Sequence, residues 1–303
     1  MIKKTVLGML IFGISSLCNA GGLILTLEND LVNHNDNNYS HGTEIAWATS
    51  SKNIDGEINR YDYGINQLMY TPQDIKIATN QPSDHPWVGT LTAFREHWYY
   101  RKNDLVRTRI SAGVLGPAAG CEYTQTLVHK IIGNIKPMGW DNQMDNEPIL
   151  NYMYERYHPM ITWGKEPSFR FVDEVISGGD FGTTFIDLKV GDCVKLGWIP
   201  KSHMQGGIAP KAVQSNRPFI YAFGRADGIL ELHNAAIGDS YFHREELEGR
   251  VPVPFVGEVS YGGCLGYKGF SVTYAKYVRT REFERQPSMM DWGEVRTEFS
   301  VPY

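Results

Sequence analysis

Segments with the composition of β-strands recur along almost the whole chain, and they limit the possible folds more than any other feature. Each is about ten residues long, carries aromatic and β-branched residues, and ends at Gly, Asn, Asp or Pro. An even number of such strands in one chain is typical of bacterial outer-membrane β-barrels. We place twelve strands at residues 22–29, 42–49, 60–70, 88–100, 104–114, 148–157, 168–178, 183–191, 217–226, 252–264, 268–280 and 292–303.

The last of these segments alternates with a period of two residues. One face of a strand there would carry Val295, Thr297, Phe299, Val301 and Tyr303, and the other Glu294, Arg296, Glu298 and Ser300. The first face suits lipid and the second a polar lumen. A terminal strand that ends in an aromatic residue also resembles the assembly signal of outer-membrane barrels. We therefore predict an all-β fold, a twelve-stranded antiparallel transmembrane β-barrel. A soluble β protein with an aromatic core is the alternative.

The first twenty residues have the pattern of a cleaved secretory signal peptide. Lys3 and Lys4 precede an apolar run over residues 6–17, and small residues lead to a cut after Ala20. We expect residues 1–20 to be removed and residues 21–303 to form one domain in the bacterial outer membrane. The formal net charge of −5 argues against a nucleic-acid partner.

The predicted mature chain contains three cysteines at wide spacing: Cys121, Cys193 and Cys264. An odd number is not a disulfide framework, and no spacing resembles a zinc site. One disulfide or three buried thiols both remain open.

Polar residues stand at the end of the first strand and at the start of the second. Asn29 and Asp30 follow an apolar alternation, and Ser40 lies in the turn back into the next strand. Such oxygen atoms suit a hard cation such as calcium, although Asn and Asp are also ordinary turn residues. His41 is adjacent to Ser40, but neighbours in a strand point to opposite faces, so we assign it no role.

One segment of the chain predicts a helix instead of a strand. It is bounded by Gly120 and Gly133, and inside it Glu122, Gln125 and His129 have the spacing of one helical face. A short helix in an extracellular loop of a barrel is a natural place for an active site, because loops carry function while the wall is rigid.

Several short motifs follow one another in a specific order. The motifs are Glu28-Asn29-Asp30, Tyr39-Ser40-x-Gly42, Tyr70-Thr71-Pro72, Gly116-Pro117, Gln125-x-x-x-His129, Gly139-Trp140-Asp141-x-Gln143 and Asn146-Glu147-Pro148. In this order and spacing the chain resembles the outer-membrane lipid A 3′-O-deacylases and their wider homologous group. The resemblance implies a site between the barrel wall and a loop helix, facing the outer leaflet. It also implies calcium-dependent hydrolysis of an ester-linked acyl chain of lipid A. Lipid A is therefore the expected partner. We expect the chain to be a monomer.

The resemblance also implies roles for single residues. His129 matches the general base that activates water, and Gln125, one turn earlier, is expected to orient the imidazole or the water. Asn29, Asp30 and Ser40 match the calcium and oxyanion positions, with Ser40 where the family usually has Thr. Lys76 stands near the slot of a basic pair that is expected to contact the anionic groups of the substrate.

The chain departs from the family pattern after His129. Ile135 and Pro137 occupy positions where the lipid A enzymes carry a functional Glu and a Tyr. Glu122 and Glu147 are the candidates to replace the missing acid. The departures leave open an alternative function, that of a non-catalytic barrel acting as a binding or structural protein.

Overall fold

A computed structural model of the chain describes residues 21–29, 38–49, 52–54, 57–165, 168–208, 215, 217–243 and 249–300. Long antiparallel strands dominate it, as the recurring segments predict. The strands of the wall are β1 Gly21–Asn29, β2 Tyr39–Thr49, β3 Glu57–Tyr70, β4 Val88–Arg101, β5 Asp104–Leu115, β6 Glu147–Trp163, β7 Arg170–Gly182, β8 Phe185–Trp198, β9 Phe219–Asn234, β10 Phe255–Tyr267, β11 Phe270–Arg279 and β12 Met290–Ser300. The predicted signal peptide, residues 1–20, lies outside the described residues.

Each strand pairs with the next along the chain, and β1 pairs with β12, so the sheet closes on itself. Leu25, for example, lies opposite Ile45 of β2 and Thr297 of β12. The twelve-stranded antiparallel barrel is thus confirmed. A further short strand, Lys52–Ile54, pairs with the start of β3 and was not predicted.

Several strands are longer than predicted or are shifted along the chain. β9 runs to Asn234, eight residues beyond the predicted end at residue 226. β12 begins at Met290 and is described to Ser300, while residues 301–303 lie outside the described part of the chain. The strands extend further because apolar and polar side chains continue to alternate through the ends of the barrel. Composition alone does not mark the residue at which such a strand ends.

The two faces of the wall differ as the last segment predicts. Val295 and Phe299 are exposed on the outside, whereas Glu294 and Glu298 are buried inside. The interior is a network of charges around a cavity of about 400 Å³. Arg107, for instance, donates hydrogen bonds to Glu96 and Glu155.

The interior is filled at one end by the segment after β8. Glu174 of β7 accepts hydrogen bonds from the backbone N–H groups of Gly206 and Gly207 at 3.1 and 2.8 Å. It also forms a fully buried ion pair with Lys195 at 3.0 Å. The segment Ile199–Ile208 thereby packs inside the wall and stabilises the scaffold.

Helix α1 spans Cys121–Ile132 in the loop between β5 and β6, as predicted. Gly120 and Gly133 flank it with φ values of 71° and 73°, a left-handed conformation that glycine adopts without a Cβ clash. No described helix is long and apolar enough to cross a membrane. Cys121, Cys193 and Cys264 are buried free thiols, so of the two alternatives the structure has the three thiols.

The helix begins directly against the wall. Gln67 of β3 donates a hydrogen bond to the carbonyl of Ala119 at 2.8 Å. Gly89 of β4 faces Cys121 so closely that a Cβ on Gly89 would lie 2.4 Å from the Cys121 Sγ. Burial raises the pKa of the Cys121 thiol to about 12. This thiol therefore packs the helix and is not a nucleophile at neutral pH.

Candidate active site

A small cavity lies between the ends of β1 and β2 and one face of α1. Its volume is about 30 Å³, the space of roughly one water molecule. The cavity brings together four of the sequence-predicted residues: Asn29 and Ser40 from the wall, and Gln125 and His129 from the helix. Its other lining residues are His41, Met69, Thr124, Val128, Ile132 and Asn134.

The wall side of the cavity presents oxygen and amide groups. The Nδ2 of Asn29 donates a hydrogen bond to the backbone carbonyl of Ser40 at 2.9 Å, which ties β1 to β2. The hydroxyl groups of Ser40 and Thr71 are hydrogen-bonded to each other at 2.6 Å, and both side chains are buried. Thr71 had no predicted role, although it belongs to one of the ordered motifs. Asp30, the third predicted ligand, lies outside the described residues.

His41 lines the cavity together with Ser40, contrary to strand alternation. The pairing of β2 with β3 shifts register between Tyr39 and His41. A bulge of this kind interrupts the alternation, so two successive side chains can serve one site. The imidazole Nε2 of His41 is 2.5 Å from the hydroxyl of Thr43.

On the helix side, His129 is oriented by a backbone group. Its Nδ1 donates a hydrogen bond to the carbonyl oxygen of Ile135 at 2.5 Å. A hydrogen bond at Nδ1 leaves Nε2 as the basic nitrogen of the neutral ring. Ile135, which stands where related enzymes have a Glu, thus contributes through its main chain.

Gln125 is more than nine-tenths buried, and its side-chain oxygen accepts a hydrogen bond from the segment that follows the helix. The indole Nε1 of Trp140 donates to the Oε1 of Gln125 at 2.7 Å. Among the described contacts, the imidazole of His129 is therefore oriented by Ile135, and Gln125 is oriented by Trp140. Sequence spacing identified Gln125 but not Trp140, because the partner lies fifteen positions away in a loop.

The loop that carries Lys76 packs against the segment that follows α1. The N–H of Met138 donates to the carbonyl of Ile75 at 2.8 Å, and Asn142 donates to the carbonyl of Ala78 at 2.7 Å. Lys76 itself is exposed and is not among the residues that line the cavity.

Neither candidate for the missing acid lines the cavity. Glu122 is exposed in the first turn of α1. Glu147 is buried at the start of β6, where the hydroxyl of Ser240 donates to it at 2.5 Å. Neither glutamate therefore contributes a carboxylate to the lining of this cavity. Among the described residues, no three or more His, Cys, Asp or Glu side chains form a group suited to a metal.

A closed antiparallel barrel with an apolar exterior and a charged interior is the architecture of an outer-membrane protein. A family model described as outer membrane protein LpxR matches residues 7–301. The chain therefore belongs to the LpxR family of outer-membrane proteins.

Among the solved structures compared, LpxR from Salmonella typhimurium has the same fold. LpxR from Salmonella typhimurium is 17% identical and superposes with a TM-score of 0.80, covering 92% of this chain and 100% of that one. The β domain of the Bordetella autotransporter BrkA is 8% identical with a TM-score of 0.47, covering 93% of this chain and 98% of that one. A search of curated protein sequences gives no match.

Proposed function

We propose that the protein hydrolyses an ester-linked acyl chain of lipid A in the outer leaflet. The observation that carries the proposal is the cavity itself, in which Asn29 and Ser40 of the wall meet Gln125 and His129 of the helix. Membership of the LpxR family supports the same reaction class.

The chemistry follows from the orientation of His129. Its Nε2 takes a proton from a water molecule while the water oxygen bonds to the ester carbonyl carbon and the C=O π electrons move to the carbonyl oxygen. When this intermediate collapses, the bond to the leaving alcohol breaks, and the imidazolium returns its proton to that oxygen. The products are a fatty acid and a lipid with a free hydroxyl.

We further propose that the wall side of the cavity binds calcium. Asn29 and Ser40 offer neutral oxygen ligands, and Asp30 follows directly in the sequence, a donor set of the kind that calcium prefers. When bound, calcium would supply positive charge beside the ester carbonyl. The serine at position 40, where the family usually has threonine, keeps the hydroxyl oxygen of that set.

The rim of the cavity suits an acyl chain. Val128 and Ile132 line the cavity and are 39% and 53% exposed, and Ile131 beside them is 73% exposed. These exposed apolar side chains at the rim offer an acyl chain a surface to pack against. We propose that Lys76, exposed on the adjacent loop, contacts an anionic group of the substrate.

A non-catalytic barrel that binds lipid is the second candidate. It is favoured by the apolar Ile135 and by Pro137, where related enzymes carry Glu and Tyr. A released fatty acid distinguishes the two candidates, because only the enzyme produces it.

Mass spectrometry of lipid A from cells that express the chain tests the proposal. We expect the wild type to remove one acyl chain and His129→Ala to remove none. His158→Ala is the matched control, because this histidine lies on β6 beside Asp104, away from the cavity, and should leave the activity intact. Heat-modifiable mobility on gels verifies that each barrel has assembled. Unchanged lipid A from an assembled wild type would favour the binding protein.

A further inference from the structure

The hydrogen bond between Trp140 and Gln125 fixes the orientation of the Gln125 amide. Gln125 and Trp140 are 4% and 2% exposed, and their bond joins α1 to the turn Trp140–Asn142 after it. The two ends of a glutamine amide have nearly the same shape but opposite hydrogen-bonding character. An indole N–H can only donate, so the atom that it contacts is the carbonyl oxygen of Gln125. The amide NH₂ therefore lies at the end away from Trp140.

Trp140 is itself held firmly. Its ring packs edge-to-face on Trp87, with 5.0 Å between the ring centroids and 61° between the planes. Both rings belong to a buried cluster beneath α1 that also contains Met69, Ile75, Ala119 and Cys121. Gly139 lies against the indole of Trp87, where a Cβ would come within 2.4 Å of the ring nitrogen. Little room remains for the indole of Trp140 to turn its donor elsewhere.

We propose that Trp140 is a positioning residue that makes Gln125 a hydrogen-bond donor toward the ester carbonyl oxygen of the substrate. This role rests on the proposed ester hydrolysis. Negative charge grows on that oxygen when water adds, and a preorganised donor stabilises the charge without reorganisation. Gln125 then acts neither on the imidazole nor, as an acceptor, on the attacking water, the two roles that the family resemblance implies.

Three variants separate donor, acceptor and packing roles. Gln125→Glu keeps an oxygen for Trp140 but removes the NH₂ donor, whereas Gln125→Ala removes both ends. Trp140→Phe keeps a ring for packing against Trp87 but removes the N–H. Each variant is purified as an assembled barrel, together with the double variant Trp140→Phe/Gln125→Ala. Fatty-acid release is then measured over a range of substrate concentration and pH.

We expect Gln125→Glu and Gln125→Ala to lose kcat to a similar extent, on the order of 100-fold. Trp140→Phe should lose kcat about tenfold with little change in KM, as expected for one lost hydrogen bond. It should leave the pH profile unchanged and have no further effect in the Gln125→Ala background. A fully active Gln125→Glu enzyme, or an equal loss from Trp140→Phe in both backgrounds, would overturn the proposal.

Hydrogen exchange of the Trp140 indole N–H tests the geometry independently of turnover. We expect the N–H to be protected in the wild type and in Gln125→Glu, and to exchange faster in Gln125→Ala. A protected N–H in an inactive wild type would contradict the proposed hydrolysis but not the orientation of Gln125. An N–H that exchanges equally fast in all three would contradict the orientation itself.

Discussion

At the scale of single residues, a backbone carbonyl orients the imidazole of His129, a role that the motif resemblance assigns to the side chain of Gln125. The Nδ1 of His129 is satisfied by the carbonyl of Ile135, which any residue could provide. An Ile at position 135 therefore does not remove the group that orients the imidazole. What it changes is the surface beside the base, which becomes apolar. Under the proposed function, this difference alters substrate contacts and leaves the proposed general base in place.

A buried histidine, His85, stabilises the loops near the site. His85 stacks on Tyr70, and its Nδ1 donates to the carbonyl of Pro86 at 3.0 Å. Its Nε2 has no hydrogen-bond partner among the residues that the structure describes. Next to it, Asp84 accepts a hydrogen bond from Asn38 at 2.6 Å. Burial first, and then the nearby Arg250, lowers the pKa of His85 from 6.5 to about 3.

Acid is therefore predicted to destabilise the fold through His85. The unfolded histidine binds a proton below about pH 6.5, whereas the folded one resists protonation down to about pH 3. The contribution of neutral His85 to the free energy of unfolding is complete above pH 6.5. It is lost as the pH falls below that value, by roughly 1.4 kcal/mol per pH unit. Denaturant unfolding at pH 7 and pH 5 should show a smaller difference for His85→Gln than for the wild type. Equal pH dependence in both would refute this assignment.

At the scale of elements, the position of α1 depends on the missing side chain of Gly89. The helix begins at Cys121, whose thiol occupies the space that a Cβ on Gly89 of β4 would need. The contact sets the distance between the helix face and the strand ends, and so the geometry between His129 and the wall residues.

Gly89→Ala should displace the helix while the barrel still assembles. A Cβ only 2.4 Å from the Cys121 Sγ forces a shift of roughly 1 Å, and displacements of this size cost on the order of 10–100-fold in rate. Cys121 should also become reactive toward maleimide. Gly224→Ala on β9 is the control, since its Cβ would meet nothing closer than 3.9 Å. Full activity and an unreactive thiol in Gly89→Ala would contradict this packing.

The elements were largely predictable from the sequence, but their contacts were not. Flanking glycines predict the helix, and helical spacing places Gln125 and His129 on one face. The bond from Trp140, the pairing of Ser40 with Thr71 and the bulge before His41 depend on distant backbone positions that periodicity does not encode. The burial of Glu147 against Ser240, away from the cavity, is of the same kind and could not be predicted from its position in the sequence.

At the scale of the whole molecule, buried charges and a packed segment fill part of the barrel interior and stabilise the wall that carries the candidate site. Lys195 and Glu174 form an ion pair with no solvent exposure, and Glu174 also binds the segment inside the barrel. Such a pair adds rigidity only while both partners are present, because a single buried charge is costly.

Lys195→Met should destabilise the barrel by about 3–5 kcal/mol, because it leaves Glu174 buried without its partner. Arg156→Met, which removes an exposed ion pair with Asp104, should leave the free energy of unfolding nearly unchanged. Denaturant unfolding of the refolded proteins in detergent compares the two. Similar stabilities for both variants would show that the interior pair contributes little.

The central claim is that two separate parts of the chain form one site, with the wall binding calcium and the helix carrying the base. Fatty-acid release by the purified barrel, measured across a calcium titration, tests it most directly. Asn29→Ala should raise the calcium concentration for half-maximal activity by roughly 10–100-fold and recover activity at high calcium. His129→Ala should be inactive at every concentration yet bind calcium like the wild type in calorimetry. An active His129→Ala, or an Asn29→Ala with an unchanged calcium requirement, would contradict the two-part site.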